Sequence, residues 1–158
     1  MKARTRRPDE DTDWRELAIR LLARREHSAR ELAHKLAARG CAADIIEQVL
    51  AELRDEGLQS DARFAEAHVH ARVQRGYGPL RIRAELVERG IDKHLAEQAL
   101  APWADEWAER ARAEWRKRFG SAPRDRREWA RQARFLQGRG YPTGLVGRLM
   151  NEIERDTE

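Results

Sequence analysis

The sequence predicts an all-α protein made of three tandem three-helix repeats in an elongated, curved array. Three observations carry that prediction. The dipeptide Arg-Gly stands at Arg39-Gly40, Arg89-Gly90 and Arg139-Gly140, a 50-residue interval taken twice, and self-similarity at a fixed period marks stacked supersecondary units. Sliding the blocks by that interval aligns Leu36 with Leu86 and Leu136, Ile45 with Leu95 and Leu145, and Leu50 with Leu100 and Met150. Apolar positions match better than polar ones, as expected where packing is kept and the outward face diverges. Charged residues are 38% and aromatics 6% of the 158 residues, thin for a compact globule but suited to amphipathic helices with solvated faces. The aligned apolar residues are assigned to the core.

Residues 1–10 read as a flexible basic arm, with Lys2, Arg4, Arg6 and Arg7 but no apolar periodicity. The first repeat is placed at 11–58. Its first helix, from Asp11 to about Arg25, rests on Trp14, Leu17, Ala18, Leu21 and Leu22, with Asp11 or Thr12 as cap. Ser28-Ala29-Arg30-Glu31 has the form of a capping box, in which the serine hydroxyl accepts a backbone N–H and the glutamate reaches back to the cap. A second helix starts there, turns Leu32 and Leu36 inward, and stops at Gly40, which can take the left-handed conformation of a C-terminal cap. Asp44-Ile45-Ile46-Glu47 repeats the capping pattern ahead of a third helix, which carries Ile46, Val49, Leu50 and Leu53 inward and ends at Gly57.

The second repeat, 59–102, restarts at Ser60-Asp61, with Phe64, Ala67, Ala71 and Val73 inward, and breaks at Gly76-Tyr77-Gly78-Pro79. Proline suits the first turn of the next helix, where its missing N–H has no intrahelical partner. Ile82 and Leu86 lead to Gly90, and Asp92 caps the helix holding Leu95 and Ala99. The third repeat, 103–158, uses the stripe Trp103, Trp107, Ala111 and Trp115, a turn from Gly120 to Pro123, and then Trp129, Phe135 and Leu136. Gly138, Gly144 and Gly147 weaken its last two helices, so this unit is expected to be the most mobile.

Several function classes find no support. Gly76-Tyr77-Gly78 lacks the Gly-Lys-Ser/Thr ending and preceding strand of a phosphate loop. His68 and His70 sit two apart on a helix and point to different faces, and His27, His34 and His94 lack ligand partners at helical spacing. No nucleophile motif or carboxylate pair stands out. The expectation is therefore no enzyme, no metal and no cofactor. Cys41 is the single cysteine, which fits a reducing cytoplasm and a small buried apolar role. No stretch approaches the roughly 18 consecutive apolar residues of a membrane span, and no apolar signal core follows the basic N-terminus. A cytoplasmic monomer away from membranes is expected.

The net charge of +4 favours an acidic partner. It is unevenly spread: from Glu109 to Arg139 eleven Arg or Lys face four acids, a local net of +7. In the middle unit Arg63, Arg72 and Arg75 border the Gly-Tyr-Gly turn on one side and Arg81 and Arg83 on the other. Arginine suits phosphate and carboxylate recognition because its planar fork donates two parallel bonds. These five, with Arg124, Arg126, Arg127 and Arg131 of the third unit, form the candidate contact set. Trp129 and Tyr141 could stack on bases or pack in the core.

The run Leu58-Gln59-Ser60-Asp61-Ala62-Arg63-Phe64-Ala65-Glu66, the stretch from Arg72 to Pro79, and Arg81-Ile82-Arg83-Ala84-Glu85-Leu86 through Ile91 resemble the RecX family of RecA regulators. Leu21-Leu22 to Leu32 and Lys35-Leu36 through Gly40 fit as well, so the resemblance covers about residues 14 to 100. It implies tandem three-helix repeats that lie along the groove of the RecA filament on single-stranded DNA, bridge protomers, and damp ATP hydrolysis, strand exchange and co-protease activity. The partners are then the RecA filament and the single strand within it. The alternative is a DNA-binding module that presents a helix to free DNA without RecA, as helix-turn-helix folds do.

Overall fold

A computed structural model of the chain describes residues 12–158, in which nine α-helices and one 3-10 turn form and no strand occurs. The basic arm expected over 1–10 lies outside the described residues. The helices are α1 (Trp14–Arg24), α2 (Ala29–Ala38), α3 (Ala43–Asp55), α4 (Asp61–Gln74), α5 (Pro79–Glu88), α6 (Lys93–Leu100), α7 (Trp107–Arg118), α8 (Arg126–Gly138) and α9 (Thr143–Arg155), with the 3-10 turn at Ala101–Trp103 after α6. They pack by threes: α1 with α2 and α3, α4 with α5 and α6, α7 with α8 and α9.

Local chemistry sets the helix starts. Asp13, just beyond the expected Asp11 or Thr12, caps α1 by accepting from Glu16 N at 3.0 Å. Ser28, Ser60, Asp92 and Asp125 cap α2, α4, α6 and α8 in the same way. The capping box at Ser28 is half formed. Its hydroxyl accepts from Glu31 N at 3.1 Å, while the Glu31 carboxylate turns outward to Arg25 and Arg89. At α3 the expected Asp44 cap is replaced by Ala42, which has no side-chain cap bond, and Asp44 sits inside the first turn, where its charge still favours the positive end of the helix dipole.

The aligned leucines Leu36, Leu86 and Leu136 are all fully buried. The next column is shifted by one from expectation. Ile46, Ala96 and Val146 are buried, whereas Ile45 is 38% exposed and Leu95 and Leu145 are only half-buried, because the inward face of α3 follows Ile46, Val49 and Leu53. On α4 the buried set is Phe64, Ala65, Val69 and Val73, and Ala67 and Ala71 face out. Trp107, Ala111 and Trp115 line the core side of α7, and Trp103 lies on the separate 3-10 turn. Cys41 is buried, and burial pushes its thiol up.

Two hydrophobic clusters result. One belongs to α1–α3 alone and holds Ala18, Leu21, Leu32, Leu36, Cys41, Ile46, Val49 and Leu53. The other runs without interruption from Phe64 on α4 to Ile153 on α9, so the second and third repeats share one core.

Candidate functional site

The surface that gathers the candidate arginines is built on the contact between repeats 2 and 3. The chain enters α5 at Gly78 because α4 ends at Arg75 and the next turn must come very close to the loop after α8. Gly78 N donates to Arg139 O at 2.7 Å and Leu80 N donates to Gly140 O at 3.0 Å. A Cβ at Gly78 would lie 2.5 Å from the Gly140 carbonyl carbon, and Gly140 itself has φ +101° with Arg81 Cβ at 2.5 Å from where its own Cβ would stand. Only glycine satisfies both demands. Tyr141, one residue on, is 1% exposed and donates its hydroxyl to Gly76 O at 3.0 Å, and burial raises its phenol well above the ordinary range. Tyr141 is thus a core residue and not a stacking platform.

That contact sets Tyr77 in a nest of guanidiniums. Arg72 lies 3.9 Å, Arg81 4.3 Å and Arg139 4.9 Å from its ring centroid. Arg139 also reaches Phe135 at 5.4 Å, Arg118 lies 5.7 Å from Phe135 and 5.8 Å from Phe119, and Arg131 lies 5.9 Å from Phe119. Phe119 and Phe135 meet edge to face at 5.4 Å. Arginine and aromatic ring therefore alternate from α5 across the repeat junction to α8, and a cleft of about 240 Å³ opens among Arg118, Phe119, Arg131 and Phe135.

The candidate arginines divide by partner. Arg72 makes a two-pronged pair with Glu85, both bonds at 2.8 Å, Arg83 does so with Glu97 at 2.6 and 3.3 Å, Arg63 pairs with Glu26 at 2.9 Å, and Arg124 pairs with Glu128 at 3.0 Å. Arg75, Arg81, Arg126, Arg127 and Arg131 are exposed, and none of them forms an ion pair within the described residues. Arg81 is nevertheless held in place, stacked on Tyr77 with Nη1 donating to Gly138 O at 3.4 Å. Arg118, Arg134 and Arg139 were outside the candidate set. Arg139 has only a distant acid, Glu114 at 3.9 Å, and the contacts of Arg118 with Phe135 and of Arg139 with Tyr77 join residues remote in sequence.

The junction between repeats 1 and 2 has a different chemistry. Asp61 Oδ1 accepts from Ala29 N at 2.8 Å, Gln59 Nε2 donates to His27 O at 3.3 Å, and Arg89 pairs with Glu31 at 3.0 Å. His27 is 1% exposed, with its Nδ1 3.0 Å from Arg25 O and its Nε2 2.8 Å from Lys35 Nζ. Burial pushes its imidazole below the ordinary value. Burial also lowers His68, which stands 3.4 Å from Glu85 Oε1 without hydrogen-bond geometry. His68 and His70 do diverge, for His70 packs on Trp103. Among the described residues no group of three or more metal-ligating side chains forms, and no helix is long and apolar enough to cross a membrane.

Fold and surface together define a tandem three-helix-repeat scaffold with an arginine-rich exterior. Family models for the first, second and third three-helix domains of RecX match residues 15–53, 60–100 and 104–150 in that order, and the chain belongs to the RecX family. It is 46% identical over 138 residues to the regulatory protein RecX of Pseudomonas savastanoi pv. phaseolicola, covering 87% of this chain and 89% of that one. It is 52% identical over 143 residues to the regulatory protein RecX of Chromohalobacter salexigens, covering 90% and 94%. The crystal structure of RecX from Lactobacillus salivarius superposes with a TM-score of 0.76 at 22% identity, covering 89% of this chain and 94% of that one. The named relatives are regulatory proteins.

Proposed function

We propose that this chain is a negative regulator of the RecA recombinase, lying along the groove of the RecA–single-stranded DNA filament and inhibiting ATP hydrolysis, strand exchange and co-protease activity. The observation that supports the reading is the serial arrangement: three units of one design, each carrying cations that form no ion pair among the described residues, with the largest group of them on the third. A repeat scaffold matches a partner that is itself a repeating polymer, because several weak contacts on one chain combine through effective concentration. Such inhibition requires no chemistry at the surface. The contact set is Arg63, Arg72, Arg75, Arg81 and Arg83 in the middle unit, extended by Arg124, Arg126, Arg127 and Arg131. The protein acts in the cytoplasm as a monomer. Titration into a RecA–single-stranded DNA ATPase assay tests this, with hydrolysis falling as protein is added; unchanged hydrolysis at saturating protein overturns it.

One observation favours a second reading, a DNA-binding module acting without RecA. Arg127, Arg131 and Arg134 lie at i, i+4 and i+7 on α8 and are all exposed, so they share one face that a duplex backbone could meet. Tight duplex binding by the chain alone, with a steep dependence on salt, would select it.

A further inference from the structure

The alternating row of arginines and rings has features that charge alone does not require. Arg81, Arg118 and Arg131 form no ion pair among the described residues, in a chain with 28 acids, several of them paired to arginines elsewhere. Each of the three has its guanidinium carbon over an aromatic ring, Arg81 at 4.3 Å from Tyr77, and Arg118 and Arg131 at 5.8 and 5.9 Å from Phe119, a cation–π contact that restrains the side chain before a ligand arrives. The rings are half-buried, with their lower edges in the shared core. Phe119 and Phe135 floor a cleft of about 240 Å³, and a cavity of roughly 150 Å³ is enough to take a benzene ring. A surface meant for acidic side chains would need only the cations.

We infer that this row is a track for single-stranded DNA, in which bases stack on the ring-backed guanidinium planes and in the Phe119–Phe135 cleft while phosphates meet the guanidinium edges. Stacking on arginine planes and aromatic faces is open to unpaired bases, whereas the bases of a duplex already stack on one another. The inference deepens the filament reading by assigning repeats 2 and 3 to the strand itself, and it rests on that reading for where the strand is met. Its test uses the chain alone, so the two readings fail separately: the ATPase titration decides the first and oligonucleotide binding the second.

The experiment is fluorescence anisotropy with a labelled oligothymidylate of about 20 nucleotides, longer than the site sizes common for single-strand binders. The same-length abasic backbone and a duplex serve as comparators. The expected result is binding to the oligothymidylate about tenfold tighter than to either comparator. R118E/R131E should weaken it about tenfold or more, while R24E/R54E, the same charge change at exposed residues of repeat 1, should alter it less than about threefold. F119L/F135L, which keeps the packing apolar but removes the flat faces, should bring the oligothymidylate and abasic affinities together. Equal affinity for oligothymidylate and abasic backbone would overturn the inference, as would equal affinity for the duplex or equal losses in the two charge-reversal pairs.

Discussion

The junction between repeats 2 and 3 and the junction between repeats 1 and 2 occupy the same place in the repeat and are made of different materials. In each, the start of a unit's second helix meets the turn after the second helix of the following unit. At Gly78 that meeting is backbone to backbone, sealed by the buried Tyr141 hydroxyl and by a shared core. At Ser28, the counterpart of Gly78, it is made by the side chains of Asp61, Gln59, Arg89 and Glu31, with Arg30 standing against Gly90, and the cores on either side are separate. The Ser28 hydroxyl caps its own helix, and the bonds across the junction come from polar and charged side chains. The comparison teaches that one repeated design yields a fused pair and a first unit tied on by polar and ionic bonds.

The sharpest way to break the contrast is to place alanine at both counterparts. Gly78→Ala forces a Cβ into the Gly140–Tyr141 backbone and should cost about 4 kcal/mol in urea denaturation, combining overpacking with strained backbone hydrogen bonds. Ser28→Ala should cost only about 1 kcal/mol, the loss of a helix cap. Equal costs would show that the junctions do not differ as described.

Cavities in the cores should respect the same division. Leu36→Ala and Leu86→Ala each remove a fully buried leucine and should cost about 3 kcal/mol. Calorimetry should show the first lowering a transition confined to α1–α3 and the second lowering the transition of α4–α9 together. A smaller loss, about 1.5 kcal/mol, is expected for Tyr141→Phe, which leaves the buried Gly76 carbonyl without its donor.

Acid should loosen the first junction before the second. His27 and His68 have folded-state values below their unfolded ones, so the folded chain binds fewer protons and stability falls as pH drops below about 6.5. Burial works against the Glu31 carboxylate, yet hydrogen bonds from Arg25 and Arg89 outweigh it and hold the group below its usual range. Its contribution is present at neutral pH and is lost later, as pH falls through that lowered value. Melting curves at pH 7.5 and 5.5 should show the α1–α3 transition moving down through His27 and the α4–α9 transition through His68 on α4, and His27→Gln should remove the first shift while leaving the second.

Much of the fold was legible because it is local. The 50-residue interval, the leucine column at 36, 86 and 136, and the caps at Ser28, Ser60 and Asp92 all follow from spacing within one helix or one turn. The column at 45, 95 and 145 misled because Ala96 sits in the true one, and an alanine gives a weak apolar signal beside Leu95. Less of the surface was legible. Arg72 finds Glu85 thirteen positions on, Arg89 finds Glu31 fifty-eight positions back, and Arg139 reaches Tyr77 from another repeat. Sequence listed the cations; only the tertiary contacts decide which are neutralised by acids and which are backed by rings.

The uninterrupted cluster from Phe64 to Ile153 also bears on how the chain is made. Ribosomes release the N-terminus first, and α1–α3 can close their own small core as soon as Asp55 has emerged. Helices α4–α6 pack on one another, but the strap at Gly78 and the phenol under Gly76 are delivered by residues 139–141. The part of the cluster that α7–α9 cover therefore closes only after more than sixty further residues separating Gly76 from Tyr141 have been synthesised, and apolar surface left uncovered in that interval is where a nascent chain is prone to aggregate.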